Sequence, residues 1–155
     1  MKTLVALLIL ASTMSMNPFN FSLPKTWDKD FVITLDFHSS MSGGTTDLKF
    51  TYDSCVYTTE SKSAAPETKF YRMTEKDRVA ILNKLESLKI DKVEPKKTFV
   101  AVHDGWSQSI CFGSHCIEGG TSVEMDEKDK NRFLEAYGYL EQFAIDKAKK
   151  MKKKR

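Results

Sequence analysis

Two of the three cysteines have the spacing of a disulfide bond across a β-hairpin. Residues 110–117 read ICFGSHCI, and a two-residue Gly-Ser turn would place Cys111 directly opposite Cys116. In this register the two cysteines form a close pair without mutual backbone hydrogen bonds. Their α-carbons should be about 4.5 Å apart, at the short end of the disulfide range. We therefore predict a Cys111–Cys116 disulfide that leaves Cys55 free. A bond from Cys55 to either of the others is the alternative.

The same segment contains residue types that bind zinc. Cys111, His115 and Cys116 could be ligands, with Cys55 or a water molecule as the fourth, if all of them converged on one point. In the hairpin register, however, His115 lies on the opposite face of the strand from both cysteines. The sequence therefore predicts no metal site and no cofactor, unless this segment is a loop without that register.

Residues for nucleophilic catalysis are few. The chain has three histidines, His38, His103 and His115, and a thiol enzyme would need Cys55 beside one of them. There is no GxSxG motif, and no base can be identified for the serines that lie near the histidines in the chain, Ser39, Ser107 and Ser109. We predict no catalytic residues. A small hydrolase or metal-dependent enzyme is the alternative, and it requires two of the four thiol or imidazole groups within hydrogen-bonding reach.

Carboxylates suggest a further chemistry, general acid–base hydrolysis of a glycoside. Asp36, Asp53 and Asp104 are the candidates, but the latter two lie where turns favour aspartate. The turn interpretation is the stronger one. No glycine-rich loop followed by a helix and a lysine is present to bind phosphate.

The N-terminus is typical of a secretory signal peptide. Lys2 precedes an unbroken apolar run over residues 4–11, and small polar residues follow up to Ser15. The run is only about half of the roughly 20 residues that a membrane-spanning helix needs. We predict a leader over residues 1–15 and a secreted or periplasmic protein. Cysteines in such a compartment are expected to form disulfides.

Charge is divided unevenly along the chain. Residues 147–155, the basic tail, hold seven of the 24 lysine and arginine residues and no acid. Without the leader and this tail, 16 basic residues face 21 acidic ones, so the folded part is acidic. The tail either lies on an anionic surface or is the solvated end of a helix.

Alternating apolar residues predict the strands. They recur over residues 31–38, 48–52, 55–59, 99–102, 106–112 and 115–118. Residues 60–69 are polar, contain a proline and are expected to form a loop. Asp104-Gly105 indicates a hairpin turn, for which a register with a glycine bulge, pairing Val102 with Trp106, is preferred over a simple two-residue turn.

Two helices are expected. Thr74 can cap one that runs to Ile90, and Asp126 opens the other, whose apolar face fades after Ala148. The fold class is therefore α+β, an antiparallel sheet of about five to six strands with two amphipathic helices packed on one face. The domains are the leader, an extended lead-in over residues 16–30, a single domain over residues 31–146, and the tail.

The order of these elements resembles a broad group of small exported bacterial α+β domains of unknown function. The residues that carry the resemblance are 31–37, Gly43-Gly44, 48–56, 74–88, Asp104-Gly105 and 133–143. More distantly, the chain is similar to emfourin, a proteinaceous inhibitor of thermolysin-type metallopeptidases. That resemblance implies an inhibitor but identifies no inhibitory residue. Periplasmic immunity proteins are a further small, acidic, exported class.

We expect a non-enzymatic binding domain, in the form of an inhibitor or immunity partner. The partner should be another protein, with no nucleic acid and no stable membrane insertion. Recognition commonly uses loops held by a rigid sheet. The residues we predict for binding lie in a polar, glycine-rich loop, the 39–46 loop: Ser39, Ser40, Ser42, Gly43, Gly44, Thr45 and Thr46. A peripheral envelope protein held by its basic tail is the second alternative.

Overall fold

The computed structural model describes residues 21–39, 43–94, 105–121 and 123–152. In the described part, six strands and two helices confirm the predicted α+β fold. The elements are β1 (Ile33–Ser39), β2 (Thr45–Phe50), β3 (Ser54–Ser61), β4 (Ala64–Arg72), α1 (Glu75–Ser87), β5 (Trp106–Phe112), β6 (His115–Gly120) and α2 (Glu127–Lys152). A short 3₁₀ turn, Ile90–Lys92, follows α1.

The strands form one sheet in the order β4-β3-β2-β1-β5-β6, and every neighbouring pair is antiparallel. The first four strands are hairpin-connected neighbours, and β5 then pairs with the free side of β1. Among the strands that the structure describes, the edges are β4 and β6. The predicted strand at 99–102 and the turn at Asp104 lie outside the described residues.

The prediction of a loop over residues 60–69 is wrong. β3 continues to Ser61, and β4 begins at Ala64, so that this segment contains a tight hairpin turn and most of an edge strand. Of the nine residues of β4 only Tyr71 is buried. The segment therefore lacks apolar alternation, and Pro66 is tolerated because an edge strand has one side without a partner strand.

One face of the sheet packs against the helices. Along β1, Ile33 and Leu35 are fully buried, whereas Asp36 between Leu35 and Phe37 is exposed. The buried side chains of both helices join those of the strands in a single core. Burying a large aliphatic or aromatic side chain contributes about 1.5–3 kcal/mol, so this core is the main source of stability.

Helix α1 begins with a capping box. The Thr74 hydroxyl accepts a hydrogen bond from the Asp77 backbone N–H at 3.3 Å, and the Asp77 carboxylate accepts one from the Thr74 N–H at 2.9 Å. The predicted Thr74 cap is thus confirmed. Lys147 of α2 donates to the same carboxylate at 2.6 Å, which fixes the end of α2 beside the start of α1.

Candidate functional site

The sheet face turned away from the helices, the open face, carries mainly polar side chains. Antiparallel partners project to the same face, so one row of register partners crosses the whole sheet there. From β4 to β6 the row reads Thr68, Thr58, Asp47, Asp36, Ser109 and Glu118. In the described part of the chain no helix covers this face.

A shallow concavity of about 650 Å³ lies at the end of the open face next to the 39–46 loop. Four carboxylate residues are part of its lining, and we refer to it as the acidic concavity. These are Asp36, Asp47, Glu60 and Glu118, accompanied by His38, Ser107 and Ser109. None of the lining residues is a lysine or an arginine.

Asp36 and Asp47 face one another across β1 and β2. Burial, a hydrogen bond with Asp36 and the negative charges of Asp36 and Glu60 all raise the pKa of Asp47. Ser109 donates a hydrogen bond from its hydroxyl to the Asp36 carboxylate at 3.0 Å. The two carboxylates therefore repel each other, and a cation placed between them would offset this repulsion.

The 39–46 loop connects β1 to β2 at the rim of this concavity. The Gly43 N–H donates to the Ser39 carbonyl at 2.9 Å, and the Ser39 N–H donates to the Gly44 carbonyl at 3.1 Å. Gly43 adopts φ +58°, and a Cβ at this position would collide with the Lys62 side chain of the β3–β4 turn. Ser40 and Ser42 lie outside the described residues. Thr45 and Thr46 are the first residues of β2.

The predicted disulfide is confirmed. Cys111 and Cys116 are bonded, their α-carbons are 4.0 Å apart, and the hairpin has the predicted register. Both cysteines belong to the open face, since they alternate along their strands with buried Ile110 and Ile117. Cys55 is free and buried. Burial raises the pKa of its thiol to about 12 despite the opposing charge of Lys147, which makes the thiol a poor nucleophile.

The structure separates the candidate thiol and imidazole side chains that it describes, although it places Ser107 opposite His38 on the open face. His38 belongs to the open face, whereas His115 and Cys55 belong to the helix-covered face. His115 stacks on Phe21 at 4.5 Å, and burial lowers its pKa. Three strands lie between β6 and β3, so His115 and Cys55 are about 19 Å apart. His103 lies outside the described residues.

No metal-binding group of three or more histidine, cysteine or acidic side chains occurs within the described ranges. Cys111 and Cys116 are bonded to each other, and His115 projects to the opposite face. The proposed zinc ligands therefore do not converge. In the same part of the chain, no helix is long and apolar enough to span a bilayer.

Sequence reasoning missed Asp47. The second strand was predicted to begin at Leu48, which left Asp47 in the preceding connection, whereas β2 begins at Thr45. Phe50 and Leu48 alternate with outward-facing positions. If the strand had been extended by one residue towards the N-terminus, Asp47 would have been predicted as an outward position. Its pairing with Asp36 depends on a register that the 39–46 loop sets.

Comparison with models of known protein families finds no match, and comparison with curated proteins finds none. Function is therefore inferred from the side chains and their positions.

Proposed function

We propose that this protein is an exported, non-enzymatic binding domain that recognises another protein with its open face and the 39–46 loop. The observation that carries the proposal is a six-stranded sheet with one face packed on helices and the other left uncovered by them in the described residues. Sheets of this kind commonly pack on one face only, so the uncovered face is available for a partner.

The dimensions of the open face suit a partner of protein size. Six strands at about 4.8 Å spacing extend roughly 24 Å, and six residues of strand extend roughly 20 Å. The product, about 480 Å² before the adjoining loop is added, is more than half of the roughly 800 Å² that each partner contributes to a standard interface. The acidic concavity is shallow and wide, which favours a surface of another protein over a small enclosed ligand.

The chemistry of the cysteines and the N-terminus supports export. Disulfide bonds persist mainly in oxidising compartments, and Cys111 and Cys116 form one here. The apolar run at residues 4–11 has the length of a signal peptide core. Export and binding together are consistent with an inhibitor or an immunity-type partner.

Affinity capture with a matched pair of variants tests the proposal. The chain from residue 16 onward is immobilised and exposed to envelope and secreted proteins at physiological salt. Glu118→Arg reverses a charge on the open face, and Glu86→Arg makes the same change at an exposed position on α1. We expect a protein that binds the wild type and Glu86→Arg but binds Glu118→Arg at least tenfold more weakly.

Two outcomes contradict the proposal. One is the absence of any stoichiometric partner for a correctly folded, oxidised chain. The other is a partner whose binding is weakened by Glu86→Arg and unaffected by Glu118→Arg, which would place the interface on the helices.

A further inference from the structure

We propose that the basic tail of one molecule docks on the acidic concavity of a second copy of this chain. The proposal deepens the proposed function, on which it rests for the use of the open face, and it names an occupant for that surface. It follows from the charge of the concavity, the charge of the tail, and the distance between the two in one molecule.

The concavity offers negative charge without a compensating cation in its lining. Its four carboxylate residues are exposed, and Asp36 and Asp47 repel each other across the strand pair. Lys49 belongs to the same face but lies in another row, opposite Thr34 and Val56. A lysine or arginine from another molecule would therefore be attracted to the carboxylates and would offset the repulsion between them.

The tail supplies positive charge in excess of the one ion pair that its described residues form. Lys147 is bound to Asp77, but Lys149 is exposed, and the residues after it add five further lysine or arginine residues. No acidic residue follows Asp146. The segment from Lys149 onward is thus a short polycation complementary in sign to the concavity.

The described part of the tail lies away from the concavity of its own molecule. α2 extends from beside Gly119, which Phe133 covers, to the neighbourhood of Asp77, on the helix side of the sheet. It remains helical to Lys152, so the described part of the tail stays in the helix layer. Passing from the helix layer around the β4 edge to β2 requires more than about 20 Å. We therefore assign the occupant of the concavity to a second copy.

Sedimentation velocity of the purified, oxidised chain from residue 16 onward measures the association. At about 20 mM salt we expect a concentration-dependent rise of the weight-average mass towards roughly twofold. At about 0.5 M salt we expect a monomer, since screening shortens the range of charge–charge attraction to a few ångströms. A monomer at low salt and high protein concentration would overturn the proposal.

Two complementary variants identify the surfaces. One ends at Ala148 and keeps the acidic concavity; the other keeps the tail and carries Asp36→Asn, Asp47→Asn and Glu118→Gln. We expect neither to self-associate, and the 1:1 mixture of the two to form a heterodimer. Association of either variant alone, or a mixture that stays monomeric, would contradict the docking of tail on concavity.

A matched control removes the same amount of charge elsewhere. Glu86→Gln, Glu94→Gln and Glu127→Gln neutralise three exposed acids outside the concavity, and we expect self-association as in the wild type. The capture experiment is repeated with the chain that ends at Ala148. If the tail does not dock but capture of a partner still depends on Glu118, this proposal fails and the proposed function stands.

Discussion

Asp36 and Asp47 occupy directly opposed positions on β1 and β2, and both are exposed on the open face. Like charges opposed in this way destabilise a sheet. Because folding raises the pKa of Asp47, the folded protein binds more protons than the unfolded chain at pH values between the unfolded and the folded pKa. The free energy of unfolding therefore falls as pH rises through this interval, and it remains lowered at neutral pH.

Asp47→Asn should stabilise the protein at pH 7 by a few tenths of a kcal/mol, at the low end of the ~0.2–1 kcal/mol for cross-strand pairs, because solvent screens both carboxylates. Below about pH 3 the gain should disappear, since Asp47 is then protonated in both states. Urea denaturation at the two pH values measures this. Glu86→Gln, away from the open face, should leave the free energy of unfolding unchanged at both pH values. A gain in stability for Asp47→Asn that is equal at both pH values would argue against repulsion as its cause.

Cys55 and the Cys111–Cys116 pair should differ in a thiol titration. We expect no reactive thiol in the native oxidised protein, because Cys55 is buried and has a pKa of about 12, and one thiol after denaturation without reductant. Replacing both bonded cysteines by serine should cost about 2 kcal/mol or less, since the closed loop is short. Three reactive thiols in the native protein would contradict both the disulfide and the inference of export.

At the scale of elements, the Asp77 carboxylate connects the start of α1 to α2. Burial alone would raise the pKa of Asp77, but hydrogen bonds from Lys147 and Thr74 outweigh burial and hold the pKa below its ordinary value. A lowered carboxyl pKa stabilises the fold above the unfolded pKa, and this stabilisation is lost as pH falls through the folded one.

Asp77→Ala removes the capping box and leaves Lys147 without its partner. We expect a loss of about 1–2 kcal/mol at pH 7, typical of a lost N-terminal cap, and a loss that shrinks as pH falls through the lowered pKa of the wild-type carboxyl. Asp77→Asn is the control that retains a capping side chain and should lose less. Equal losses for the two variants at pH 7 would show that the cap contributes nothing beyond the charge.

Elements with strong local signals were predictable from the sequence, and those defined by distant partners were not. The β5–β6 hairpin followed from the Gly-Ser turn and the two cysteines, and α1 followed from Thr74 and its apolar stripe. β4 was missed because an exposed edge strand has no periodic apolar face; its hydrogen bonds to β3 define it. The pairing of β1 with β5, which brings Ser109 to Asp36, depends on contacts far apart in the chain.

At the scale of the whole molecule, the two faces of the sheet differ because the helices pack on only one of them in the described residues. The covered face supplies the core, and the open face gathers the acidic concavity, the disulfide and the rim formed by the 39–46 loop. The sequence alone predicted the two-layer architecture and a loop for binding. The concavity required the strand order, which sequence periodicity does not specify.

The most direct test of the central claim is protection of the open face in the bound state. Ser107→Cys and Glu86→Cys each place a thiol at an exposed position, the first on the open face and the second on α1. Alkylation rates are measured for the free protein and for its complex with the captured partner. We expect the thiol at position 107 to react at least tenfold more slowly in the complex and the thiol at position 86 to react at an unchanged rate. An unprotected position 107 with a protected position 86 would contradict the assignment of the open face as the binding surface.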